Sequence, residues 1–180
     1  MNQSREKGFL SEAQHLQLQR FPENIHENEL IQYFLLSQED IRQIPVKSPT
    51  YSRLGFSILL CTLRFLGFIP KNFVSIDSAV VVFIGQQLNI KEATARFNQY
   101  GKRQQTRSDH LQIIEKYLGF KRLKSNELVS IKSWALSEAM EHDRPTYLLN
   151  QLIQKLKHDK IIRPSILTLE RLSLSDGLCK

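Results

Sequence analysis

Between Pro49 and Pro70 the chain reads TYSRLGFSILLCTLRFLGFI, and this stretch limits the possible folds more than any other. Leu54, Ile58, Cys61, Phe65 and Phe68 recur every three or four residues and form one helical stripe, which Leu59, Leu63 and Leu66 widen. A helix apolar over so much of its circumference is stable in water only when other elements surround it. It is not a membrane span: Arg64 interrupts the densest part, Leu54 to Ile69, and a span needs roughly 18 uninterrupted apolar residues. The rest of the chain must therefore wrap a central helix.

The remaining sequence has the spacing to do so. Ser11 is placed to cap a helix in SEAQHLQLQRF, with Phe21-Pro22 as its stop. ENELIQYFLL sets Leu30, Ile31, Phe34 and Leu35 on one side, and SQEDIRQI opens with Ser37 and two acids before Pro45 closes it. The spacing predicts further helices over Asp77 to Leu88, Glu92 to Tyr100 and Arg107 to Leu118, the last ending on Gly119. NELVSIKSWALSEAMEHD and RPTYLLNQLIQKLKHDKI read as two more, the second starting near Pro145, and PSILTLERLSL begins another. VVVF alone could be a buried strand, but its pattern continues helically through IGQQL, and hairpin signals are missing. The expected fold is all-α and multi-helical. The polar segment KRLKSNE, 121–127, is the mildest seam. It suggests a helical domain over 1–124 and a second helical segment over 125–180, either the start of a further domain or a brace.

Charge is regional. Residues 1–46 hold four Lys/Arg against seven Asp/Glu, residues 47–124 hold thirteen against four, and residues 125–180 hold eight against seven, within a net charge of +7. A middle segment this basic is what a polyanion-binding face requires. A surface tuned for solubility is the plainer alternative. Two cysteines cannot build a disulfide framework, and MNQSREKGF lacks the apolar core of a signal peptide. A reduced, cytoplasmic setting is the expectation.

FIGQQLNIKEATARF, Phe83 to Phe97, has the layout of a helix-turn-helix. Such a unit, here at about 77–100, needs a small residue where its helices cross, and Gly85 supplies it. Four residues on it needs one that tolerates positive φ, and Asn89 is among the few besides glycine. Leu88 and Ile90 flank the turn as apolar plugs, and Ala95 is the expected packing point of the second helix. Asn98 stands where a third plug is usual, with Phe97 able to replace it. Lys91, Thr94 and Arg96 would then lie near the start and outer face of the helix that enters a major groove. Two packed helices with no DNA role would show the same pattern.

The next stretch, YGKRQQTRSDHL, carries Lys102, Arg103 and Arg107 against one acid, Asp109. Arginine offers a planar fork to phosphate oxygens or guanine edges, and glutamine, such as Gln104, suits adenine. Thr106 and His110 are typical of short phosphate contacts. Phosphate positioning is the expected role of the cluster. Five dispersed histidines without cysteine partners give no metal site, seven scattered glycines give no phosphate loop, and no nucleophile elbow occurs. No catalytic residue, metal or cofactor is expected in this chain.

Taken together, RFPENIHENELIQYFLLSQEDI (20–41), RLGFSILLCTLRFLGFIP (53–70), VVVFIGQQLNI (80–90), RQQTRSDHLQIIEKYLGF (103–120) and TLERL (168–172) resemble, in order and spacing, the N-terminal region of transposases of the Tn-three family, the class II replicative transposons. The resemblance implies bacterial origin, helical modules that recognise terminal inverted repeats, and an integrase-like catalytic domain with an acidic triad far downstream of this region. By position its TR..H block falls on Thr106, Arg107 and His110, and RLGF on Arg53, Leu54, Gly55 and Phe56; the resemblance thus adds Arg53 to the DNA contacts and leaves Leu54 and Phe56 to the core. After TLERL the family continues helical, whereas SLSDGLCK departs from its pattern.

The function expected is sequence-specific binding of double-stranded DNA at transposon terminal inverted repeats, without catalysis, in a nucleoid-associated bacterial protein. The alternative is a protein-interaction module for transposase assembly or regulation, its partners the rest of the transposase or a second copy. No membrane partner is expected.

Overall fold

The computed structural model describes residues 9–73, 75–101, 104–142 and 144–173. Among them the order is α1 (Glu12–Gln19), α2 (Glu27–Phe34), α3 (Gln38–Gln43), α4 (Thr50–Leu66), α5 (Ser78–Gln87), α6 (Ala93–Gly101), α7 (Gln104–Leu118), α8 (Ser125–Glu141), α9 (Pro145–His158) and α10 (Ile166–Ser173). The fold is all-α, as the periodicity requires. None of these helices is long and apolar enough to cross a membrane. The chain divides into two compact units, the first Arg20–Lys121 and the second Met1–Gln19 with Arg122–Lys180.

In the first unit α4 is the centre. Leu54, Phe56, Ile58, Leu59, Leu60, Cys61 and Leu63 are all fully buried, so the helix is enclosed on nearly every side. Helices α2, α5, α6 and α7 pack around it. Their ends are set by local chemistry. Ser37 and Asp40 form a reciprocal cap at the start of α3: Ser37 Oγ accepts the Asp40 N–H at 3.1 Å, and Asp40 Oδ2 accepts the Ser37 N–H at 2.9 Å. Beyond α2 the chain is tied by Gln87, which donates to the Phe34 carbonyl at 3.0 Å and accepts from the Leu36 N–H at 2.8 Å. One side chain thereby satisfies the last carbonyl of α2 and an amide just beyond its cap. Phe21, Tyr33, Phe34 and Phe65 join ring to ring beside it.

The second unit has its own core of Ile131, Leu149, Leu152, Leu156, Ile161, Ile166, Leu169 and Leu172. Helix α1 belongs here and not to the unit that follows it in sequence, which differs from a division at 124/125 with α1 in the first domain. The physical reason is Glu170, 1% exposed, whose carboxylate accepts the Leu10 N–H at 2.9 Å and pairs with His15 Nε2 at 3.0 Å. The Arg163 guanidinium also donates to the Leu18 carbonyl.

Candidate nucleic-acid interface

Helices α5 and α6 lean on a turn whose geometry follows from a few residues. Asp77 opens α5 by accepting the Ala79 N–H at 2.9 Å. The far end closes with Asn89 at φ 55°. Its N–H reaches the Gln86 carbonyl at 3.1 Å, and the Ile90 N–H reaches the Gly85 carbonyl at 2.8 Å. These two bonds make a left-handed cap of the Schellman type, normally built on glycine and here on asparagine. At the crossing, a Cβ on Gly85 would lie 2.5 Å from the Ala93 Cβ, so only hydrogen fits there.

The packing point is therefore Ala93, in place of the expected Ala95, which is exposed. The inward stripe of α6 is Ala93, Phe97 and Tyr100, spaced four and three, and Ala95 lies on the opposite side. Phe97 takes the third apolar position while Asn98 faces solvent. Its ring meets Phe73 edge-on at 5.4 Å. With that stripe turned inward, Lys91, Thr94 and Arg96 are all exposed around the start of α6. Glu92, absent from the sequence candidates, is exposed among them at φ 53°.

Helix α7 is fixed to this pair through Tyr100. A Cβ on Gly55 would come within 2.1 Å of the Tyr100 ring, so the glycine of RLGF is the seat on which that ring rests against α4. Tyr100 stacks on His110 with centroids 5.6 Å apart, and its hydroxyl meets His110 Nδ1 at 3.1 Å. Phe56 closes the other side of the imidazole edge-on at 5.1 Å. Burial pushes the Tyr100 phenol well above its usual range and holds the His110 imidazolium below its own. His110 is only 6% exposed. The expectation of a phosphate contact at His110 is thus replaced by a core role: a neutral ring that locks α7 onto α4 and α6. The sequence signal for this role is its spacing, since His110, Ile114 and Tyr117 recur at helical intervals on the inward side.

One turn before His110, Thr106 and Arg107 are half-exposed, and Gln104 is exposed at the start of α7. Asp109 accepts a hydrogen bond from Gln105 Nε2 at 2.8 Å. Lys102 and Arg103 lie outside the described residues. Arg53 is half-buried in the first turn of α4, two residues before Gly55. At its other end α7 is held by Asp40, whose Oδ1 accepts from Arg64 at 2.5 Å and from the Tyr117 hydroxyl at 3.0 Å. Burial alone would raise the Asp40 carboxyl, but the Arg64 and Ser37 hydrogen bonds outweigh it and hold it below the usual range.

Residues 9–175 match the family described as Domain of unknown function, DUF4158. The chain belongs to this family. It is 28% identical over 150 residues to the transposase for transposon Tn3926 of Escherichia coli, covering 81% of this chain and 14% of that protein. It is 29% identical over 140 residues to the transposase for transposon Tn1546 of Enterococcus faecium, covering 78% and 14%. Against the transposase for transposon Tn21 of Escherichia coli the identity is 27% over 169 residues, covering 93% and 16%. The resemblance of the sequence blocks to the N-terminal region of Tn-three family transposases therefore holds across this DUF4158 chain. The chain spans 14–16% of the length of these curated relatives.

Proposed function

We propose that this DUF4158 chain is a sequence-specific reader of double-stranded DNA that recognises the terminal inverted repeats of a transposon, and that it carries out no strand chemistry itself. The observation that supports this most is the α5–α6 pair. Its small-residue crossing and left-handed asparagine turn direct Ala93, Phe97 and Tyr100 inward, and leave Lys91, Thr94 and Arg96 exposed at the start of the second helix. A helix presented by its N-terminal half is the arrangement with which helix-turn-helix units enter a major groove. In this reading Lys91, Thr94 and Arg96 contact base edges. Gln104, Thr106 and Arg107, with Lys102, Arg103 and Arg53, position neighbouring phosphates. The setting is the bacterial cytoplasm at the nucleoid, and the strand-transfer chemistry belongs to another part of a transposase.

Hydroxyl-radical footprinting on a duplex carrying the terminal repeat tests this reading. A protected patch inside the repeat, absent from an unrelated flank of equal length, is expected. Uniform cleavage along the whole duplex at saturating protein contradicts it.

A further inference from the structure

The face assigned to DNA contains a residue that an electrostatic anchor would not keep. From Lys91 to Arg107 the sequence holds five lysines and arginines and one acid, Glu92. Glu92 is exposed, precedes the first residue of α6, and has φ 53°. A left-handed backbone is disfavoured for a side chain of this size, and asparagine or glycine would hold the same turn more cheaply. Its side chain makes no hydrogen bond or ion pair with any described residue, so neither the turn nor a salt bridge explains it. Beside a phosphate it would be repelled. Val82, Gln86, Thr94 and Ala95 line an open groove together with it, so Glu92 is the one charged residue on a concave, otherwise uncharged surface.

We infer that Glu92 is a base-reading residue that selects a cytosine within the duplex. This rests on the DNA-binding reading above. A carboxylate only accepts hydrogen bonds, and the major groove shows it donors only at the amino groups of cytosine and adenine, cytosine N4 being its usual partner. Lys91, Thr94 and Arg96 bring donors to the same helix start, so they seek the acceptors of guanine, adenine or thymine while Glu92 seeks the opposite pattern. Together the four residues distinguish a C·G pair from its neighbours, which positive charge alone cannot do.

The test is selection from a pool of duplexes with a randomised centre, run with the full chain and with Glu92→Gln, whose helical content is checked by circular dichroism. The native chain is expected to enrich a motif with an invariant C·G pair at one position. The variant should relax that position by about 5- to 150-fold and leave the others unchanged. Two results overturn the inference while leaving DNA reading intact: the variant enriches the identical motif, or it binds every duplex more tightly by one common factor. A native chain that enriches no motif overturns the inference and the DNA-reading proposal together.

Discussion

The hydroxyl of Tyr100 and Nδ1 of His110 lie 3.1 Å apart, with their rings stacked at an interplanar angle of 19°. This pair, closed by Phe56, fixes the angle at which α7 leaves the α5–α6 unit. His110→Ala removes a buried ring and leaves the Tyr100 hydroxyl without its partner, so a loss of about 3 kcal/mol is expected in urea unfolding. The folded fraction of this variant should retain the native salt slope of DNA binding, because no phosphate contact is lost.

The same ring makes stability depend on pH. Burial lowers the His110 pKa from 6.5, so the unfolded chain takes up that proton first as the solution is acidified. The contribution is complete above about pH 6.5 and is lost as pH falls below it. Thermal unfolding from pH 8 to 5 should show a midpoint that declines in acid, and His110→Gln should flatten that decline.

Asp40, Arg64 and Tyr117 bind α3, α4 and α7 in one network. Asp40→Ala strands the Arg64 guanidinium beside a buried surface and should cost about 3 kcal/mol. Tyr117→Phe removes one bond to a charged group and should cost about 1.5 kcal/mol. Because the Asp40 carboxyl is held below 3.8, its contribution is present above that pH and is lost as the solution is acidified through its folded value. Urea midpoints of the two variants at neutral pH check the order.

Gly85 and Gly55 allow close approach. Gly85→Ala sets two methyl groups 2.5 Å apart and must separate α5 from α6. A loss of roughly 1–3 kcal/mol is expected. Gly55→Ala meets the Tyr100 ring at 2.1 Å and should cost more than Gly85→Ala. Chemical denaturation of both variants measures the ranking.

Much of this fold was readable from spacing. The enclosed α4, the Ser37 cap and the positive φ of Asn89 each follow from local sequence, because capping and turn chemistry are decided within a few residues. VVVF is helical for a reason present in the sequence: Asp77 caps a pattern that buries Val80, Val81 and Ile84 and exposes Val82. What was not readable depends on partners distant in sequence. Helix α1 joins α10 through Glu170, some 160 positions from Leu10. The spacing of α7 places His110 inward, but that its partner is Tyr100, seated on Gly55, is a pairing no local pattern carries. Ala93 and not Ala95 meets Gly85 because the inward stripe of α6 runs through Phe97 and Tyr100, a phase that the turn alone does not fix.

On the proposed reading, Arg96 and Arg107 have separate roles at the interface. Arg96→Ala should change which sequence is preferred, by about 1–3 kcal/mol at one position. Arg107→Ala should weaken all duplexes alike and reduce the log–log salt slope by about 0.9. Identical specificity profiles for the two variants would remove this division.

On the proposed reading the basic face discriminates between DNA sequences. Fluorescence-anisotropy titration against the terminal-repeat duplex and a scrambled duplex, each at two salt concentrations, tests it most directly. Tighter binding to the repeat is expected, with the preference surviving at the higher salt. Equal affinities that fall together with salt would contradict it and leave only an electrostatic anchor.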